Sequence, residues 1–328
     1  MKLSKRLPLI LLAVLLVFAT ACQVRSDSPT GEGGEVDTEN ITIGAASQGG
    51  FWYVLAGALG DEMENTLDSN VSIIEGGSLS NIAGLESGEF QFGFTNGQNV
   101  PEALEGFGSF EEPVEGFSGV ATLYPNVMQI VVREDSDIYS VEDLEGARVS
   151  PGIRGYSGDE TFQEILEFEG MSYEDMDQVE YIGTEDGANQ MRDGGLDALA
   201  LMLVTPQSTI QELDASIGVR LLSVPEETIA GMQDQNPGYL DYDIPTEIYD
   251  TEEDINTVAG YTVLLVSDDM PEEYVYEFTQ IMLENRDRWE SLSDGMRDFD
   301  TEYSIEYMPE GLELHPGAQR YYEEAGVL

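Results

Sequence analysis

Three stretches of the chain, ITIGAASQGGFWY, VSIIEGGSLSN and ARVSPGIRGYSGDE, follow one plan: an apolar run, a turn rich in Gly and Ser, then residues at helical spacing. Each turn would aim backbone N–H groups at a single spot. A helix start carries unpaired amides and a partial positive charge, and glycine lets a ligand approach the backbone closely. In an open α/β sheet such turns gather at the carboxyl ends of the strands, where ligands bind. Together they point to a receptor for a small anion, above all a carboxylate. Taken singly, each is equally a turn that needs glycine for its own geometry.

Catalytic readings of the same residues fail on spacing. Gly155-Tyr156-Ser157-Gly158-Asp159 comes near a hydrolase nucleophile elbow, but that motif wants Gly two residues after the Ser, where Asp159 stands. The sole histidine, His315, would have to be its base, and in His315-Pro316-Gly317 it reads as a helix cap or packing residue. Around Gly44 the dinucleotide pattern GxGxxG is broken by Ala46. Asp298, Asp300 and Glu302 alternate like calcium ligands without the loop glycine, and read as solvated surface. One cysteine excludes a disulfide framework and a Cys-based zinc cluster. No acid, base and nucleophile occur together, so no enzyme, no cofactor and no metal are expected.

The 328 residues carry 65 Asp+Glu against 13 Lys+Arg, a formal charge of −52. Nucleic acid is excluded as a partner, because binding it needs clustered cations. A hydrophobic content of 41 % still suffices for a core. No lysine follows Lys5, and the ten cations after residue 21 are all arginine. Such a surface repels itself in dilute buffer, whereas at about 1 M salt the screening length falls to about 3 Å. A halophile's protein, exposed to brine, is the expectation. Acidity that only aids solubility does not account for the missing lysine.

The first segment, MKLSKRLPLILLAVLLVFATAC, has a cationic start, an apolar run from Leu7 to Phe18, and small residues before Cys22. It reads as an export signal over 1–21, too short to span a membrane. Cys22 stands where a bacterial lipoprotein is lipidated; ordinary secretion with Cys22 incidental is the alternative. Residues 22–40 read as a flexible tether reaching about 20 to 25 Å.

Apolar runs alternate with amphipathic stretches, which argues for an α/β architecture. Strands are expected at Ile41 to Ala46, Val71 to Glu75, Gln91 to Thr95, Met128 to Val132, Val179 to Gly183, Ala198 to Leu203, Val219 to Val224 and Thr262 to Val266. A helix after Pro271 should carry Tyr274, Phe278, Ile281, Met282 and Trp289 on one face.

In order along the chain, ITIGAASQGGFWYVLAGAL, IEGGSLSNIAGLESGEFQFGF, LYPNVMQIVVREDSDIYSVEDLEGARVSPG and LHPGAQRYYEEAG resemble the TAXI family of extracytoplasmic solute receptors, which serve TRAP-type transporters. The resemblance covers Ile41 to Leu328. It implies a two-lobed periplasmic-binding-protein fold (type II-like) with a hinge of two crossing strands. One lobe would be 41–124 with 261–328, the other 125–260. It also implies delivery of a small carboxylate, such as glutamate, glutamine or 2-oxoglutarate, to TRAP membrane subunits. The chain departs from the family at Gln91, at Asn96-Gly97-Gln98, and at Arg154 to Asp159, where Arg154 could clamp a carboxylate through two parallel hydrogen bonds.

Expected ligand-binding residues of the first lobe are Ser47, Gln48, Gly49, Tyr53, Gly77, Ser78, Asn81, Asn96, Gln98 and Tyr124. Those of the second are Arg154, Ser157, Thr205 and Gln207. Ser78 could instead be an N-cap, Tyr124 hinge packing, and Arg154 the partner of a surface carboxylate. Two rival functions share these residues. One is an ABC-type receptor of the same architecture. The other is a receptor for a quaternary ammonium osmolyte caged by Phe51, Trp52, Tyr53, Tyr124, Tyr156 and Tyr261.

Overall fold

The computed structural model describes residues 36–48 and 50–328. The expected leader, Cys22, the tether up to residue 35 and Gly49 lie outside the described residues. Among those described, no helix is long and apolar enough to cross a membrane.

The chain runs through β1 (Asn40–Gly44), α1 (Phe51–Thr66), β2 (Asn70–Ile74), α2 (Ser78–Glu86), β3 (Phe92–Asn96) and α3 (Asn99–Glu105). β1 pairs in parallel with β2 and β3. Helix α1 buries Trp52, Leu55, Ala56, Leu59 and Met63, whose spacing of three and four puts them on one face against the sheet. The strand β4 (Phe117–Arg133) then leaves this layer. It leads to β5 (Arg148–Ser150), α4 (Ser157–Phe168), β6 (Gln178–Val179), α5 (Thr184–Arg192), β7 (Ala198–Leu203), α6 (Ser208–Ile217), β8 (Val219–Leu222), α7 (Glu226–Gln235), β9 (Leu240–Ile244) and α8 (Thr246–Tyr249). The strand β10 (Ile255–Ser267) returns to the first layer, followed by α9 (Glu272–Glu284), α10 (Arg286–Leu292), α11 (Thr301–Glu306) and α12 (Pro316–Ala325).

At about 3.3 Å per residue, the 17 residues of β4 extend more than 50 Å, too far for one layer to hold. β4 and β10 pair antiparallel and join all ten strands into one curled sheet, ordered β2-β1-β3-β10-β4-β7-β5-β6, with β8 on β4 and β9 on β10. Midway, Pro125 faces Tyr261 and the register shifts before Val263. Proline offers no N–H to the ladder, so pairing is weakest there and the strands can bend.

Buried apolar residues separate at this point. Ile43, Leu59, Phe92, Leu123, Leu264 and Phe278 belong to one core, with Ile82, Val100 and Val263 on the other face of the same sheet. Met128, Ile130, Phe162 and Val258 form another core, backed by Val127, Leu199, Ile210 and Ala259. The result is two lobes joined by two crossing strands.

Three sequence expectations change. The run Val179 to Gly183 is a strand only over Gln178–Val179, because Gly183 is already the extended N-cap of α5 and Tyr181 packs edge-on to Tyr173. Met128 to Val132 is the outer end of the much longer β4. Trp289 does not continue α9: Asn285 leaves helical geometry at φ −100° and ψ 23°, and Trp289 sits on α10 with its indole N–H donating to the Met282 carbonyl at 2.7 Å. His315 caps α12, its Nδ1 accepting from the Gly317 N–H at 3.2 Å. A side chain at Gly317 would meet the Glu272 carbonyl at 2.2 Å, so α12 approaches α9 this closely only with glycine there.

Candidate functional site

Helices α2 and α4 start on opposite lobes and point their N-terminal turns at each other. Their N-cap residues, Gly77 and Tyr156, offer no capping side chain, although the Gly77 N–H donates to Ser80 Oγ at 2.9 Å. Ser78 and Ser157, the first residues of the two helices, bring their Oγ atoms to 2.9 Å. Ser78 Oγ also accepts from the Asn96 N–H at 3.1 Å, which ties the end of β3 to the start of α2. Ser157 Oγ donates to Asn99 Oδ1 at 3.2 Å. The Tyr156 ring lies against Gly77, 3.4 Å from where a Cβ would stand. Burial, and then the negative field of Glu75, pushes the Tyr156 phenol above its ordinary pKa. Four residues expected from the sequence, Gly77, Ser78, Asn96 and Ser157, are thus in one seam.

Asn81 holds that seam from below. Its Nδ2 donates to the Ala45 carbonyl at 2.9 Å and the Phe94 carbonyl at 2.8 Å, joining the exit of β1 to the middle of β3 under α2. Its Oδ1 is buried without a hydrogen-bond partner and lies beside Gly76 and Gly44. Glycine is required at Gly76, because a Cβ there would stand 2.3 Å from that oxygen.

Gln98 crosses between the lobes. Its Nε2 reaches Thr161 Oγ1 at 3.5 Å and Met202 Sδ at 3.4 Å, its carbonyl accepts from Asn236 Nδ2 at 2.9 Å, and its Oε1 is buried and unpartnered. Gly260 makes room for it: a Cβ there would fall 2.0 Å from Oε1.

The remaining expected residues stand apart from the seam. Ser47 and Gln48 lie in the loop before α1, half-buried and exposed respectively, and Tyr53 is half-buried in the first turn of α1. Tyr124 is 1 % exposed inside the crossing, 5.4 Å from the Phe51 ring, and its burial raises its phenol far above the ordinary value. Arg154 is exposed on the loop before α4, its guanidinium stacked 4.0 Å over the Tyr181 ring. The Gln207 N–H donates to Tyr249 Oη at 2.6 Å, and Thr205 is half-buried before the cis bond to Pro206.

The aromatics weighed as a cation cage do not surround one space: Phe51 packs on the buried Tyr124 with Trp52 beside it, while Tyr156 and Tyr261 pack elsewhere. Trp52 stacks on Phe94 and donates to Thr262 Oγ1 at 3.1 Å, Tyr261 packs on Tyr303 and Tyr307, and Tyr156 covers Gly77.

Sequence reasoning missed Asn99, which accepts from Ser157, and Asn126, whose Nδ2 donates to Asn96 Oδ1 at 2.6 Å and Thr262 Oγ1 at 2.9 Å. Both signals were local: Asn99 opens the helix beside Gln98, and Asn126 follows the proline of the crossing. Among the described residues, no group of three or more His, Cys, Asp or Glu is arranged to hold a metal ion.

The NMT1-like family is matched over residues 43–326. Among solved structures, PhnD1 from Prochlorococcus marinus in complex with methylphosphonate has a TM-score of 0.53 at 10% identity, over 89% of this chain and 100% of its own. The periplasmic aliphatic sulphonate binding protein SsuA from Escherichia coli has a TM-score of 0.46 at 18% identity, over 89% and 94%. At that identity the likeness to PhnD1 shows the fold alone, that of a two-lobed periplasmic binding protein.

Proposed function

The chain belongs to the NMT1-like family, and on that premise we propose that it is an extracytoplasmic receptor which captures a small carboxylate between its lobes and passes it to TRAP membrane subunits. It binds its solute and transforms nothing. In this reading the lobes are 41–124 with 261–328 and 125–260, and a lipidated Cys22 holds the receptor at the membrane surface.

One observation carries the reading: the first-turn serines of two helices without N-cap side chains, one from each lobe, stand 2.9 Å apart. Each helix start offers unpaired N–H groups and a partial positive charge. An oxyanion entering that seam is held by both lobes at once, so its binding shifts a hinge equilibrium toward closure. Arg154, exposed beside the start of α4, receives the second carboxylate of a dicarboxylate ligand such as glutamate or 2-oxoglutarate.

A second reading keeps the seam and changes the delivery. Methylphosphonate, the ligand of the structural neighbour PhnD1, is likewise a small oxyanion, and an ABC-type permease would accept the same closed receptor. Calorimetry in about 1 M salt with glutamate, 2-oxoglutarate, methylphosphonate and betaine separates the ligands. Arg154→Ala is expected to weaken a dicarboxylate by about 10- to 100-fold, the worth of a charged hydrogen bond, and to leave methylphosphonate nearly unchanged. Tight betaine binding with no response to any of the anions refutes the anion site.

The composition suits brine. Dialysis into dilute buffer is expected to lower the melting temperature by tens of degrees as 65 carboxylates lose their screening. A melting temperature indifferent to salt between about 0.1 and 2 M would remove the halophilic reading.

A further inference from the structure

Behind the ligand seam the lobes meet again, through carboxyl groups. Glu102 on α3 is 4 % exposed; its Oε1 accepts from Asn236 Nδ2 of the second lobe at 3.1 Å, and its Oε2 from Asn99 Nδ2 at 3.3 Å. Glu160 and Glu164 lie one turn apart on α4 of the second lobe, both half-buried. Glu160 reaches back to the first lobe, Oε1 accepting from Ser109 Oγ at 2.8 Å and Oε2 from Asn99 Nδ2 at 3.5 Å. The Tyr239 hydroxyl lies 3.2 Å from Thr161 Oγ1 and faces Glu164.

The charged neighbours of the three are acidic. Glu102 feels Glu164 and Glu160, Glu160 feels Asp159, and Glu164 feels Glu160 and Glu167. Asp159 is itself held by the Tyr173 hydroxyl at 2.7 Å and the Gly155 N–H at 2.9 Å. The donors facing the trio, Asn99, Ser109, Asn236 and Tyr239, are neutral. Arg154, the cation nearest this helix start, is stacked on Tyr181. Buried carboxylates without a cation are costly unless they hold a proton.

We infer that this seam is a proton-linked latch: the lobes close by taking up a proton onto the Glu102–Glu160–Glu164 cluster, so acid favours the closed receptor and alkali the open one. The inference rests on the reading that the lobes open and close on a ligand. The cluster is assembled only by closure, because Glu102 comes from one lobe and its two acidic neighbours from the other. Opening returns all three to water and to the ordinary carboxylate range.

Burial, then the mutual repulsion of the carboxylates, pushes Glu102 up to about 7, and burial first does the same to Glu164. Glu160 is raised as well. An acid whose pKa is higher in the closed form stabilises that form below the open-state pKa and ceases to do so as pH rises through the closed-state pKa. The closing constant therefore falls as pH rises from about 4.5 to about 7, by as much as tenfold per pH unit for each proton, and is flat above.

The test reads closure without a ligand, so that it stands apart from the anion assignment. Small-angle scattering of the whole protein in about 1 M salt, from about pH 4.5 to 8, is expected to show a radius of gyration that grows with pH in the wild type. The dependence should be much shallower in the doubly neutral Glu102→Gln, Glu164→Gln variant, where only Glu160 of the three still titrates. Glu160→Gln, a more accessible site, provides a second variant should the double one fail to fold, with a profile shallower than wild type. Identical profiles in wild type and variant, flat or sloping, overturn the latch. Calorimetry of a bound ligand in two buffers of different ionisation enthalpy adds a proton count: uptake near pH 6 supports the latch, and none refutes it even where the ligand binds well.

Discussion

Replacing Ser157 by Glu is expected to weaken capture of an anionic ligand by more than about 100-fold, while Ser157→Ala costs only about 1 kcal/mol, or several-fold in Kd. Ser157 is 6 % exposed, opens α4, and meets Ser78 and Asn99 of the other lobe. A carboxylate at that position occupies the helix start in place of the ligand, using the same first-turn amides, and repels the anion it displaces. It also adds bulk where two serine hydroxyls now touch. Calorimetry in about 1 M salt reads the affinity, and circular dichroism shows that the variant is folded. Glu-variant binding at wild-type strength would place the ligand somewhere other than between α2 and α4.

Asn81→Leu is expected to lower the stability of the protein by about 2–4 kcal/mol, since two buried carbonyls lose their donor at about 1–3 kcal/mol each and the apolar side chain recovers part of it. Those carbonyls belong to Ala45, at the exit of β1, and Phe94, in the middle of β3. The midpoint of urea unfolding should fall with an unchanged slope. Ligand affinity should fall with it, because the Ala45 turn and the start of α2 lose the amide that holds them in register. A midpoint equal to wild type would mean that solvent or a neighbouring donor satisfies both carbonyls, and that Asn81 is not the tie between the two strands.

What could be read along the chain is what depends on near neighbours. β1 and β3 are short, mostly buried apolar runs closed by Gly44 and Asn96, and β2 leads into Gly76-Gly77, so strand and turn are both marked locally. The turns before α1, α2 and α4 were legible for the same reason, as was the cap at His315, where Pro316 and Gly317 follow at once. The long crossing strand β4 was half hidden. Tyr124-Pro125-Asn126 reads as an interruption in a linear scan, whereas in the sheet Pro125 is the point at which one strand passes from lobe to lobe.

Direction and depth escaped the sequence. Arg154 could be picked out as the only cation in a glycine-rich turn, but its stacking on Tyr181 depends on where the short β6 ends. Tyr124 could be placed near the crossing, but its burial depends on Phe51 and Trp52 arriving from α1. The carboxyl cluster had no signature at all: with 65 acidic residues, Glu102, Glu160 and Glu164 looked like any other solvated charge.

By itself, then, the sequence determined the alternation of strand and helix, the three amide-rich turns and the acidity of the surface, because each follows from backbone geometry or a count of charges. Only the tertiary structure decided which turns face each other and which three carboxyl groups leave water together. Those pairings join residues 58 to 79 positions apart, and nothing local in a chain fixes what a hinge will bring into contact.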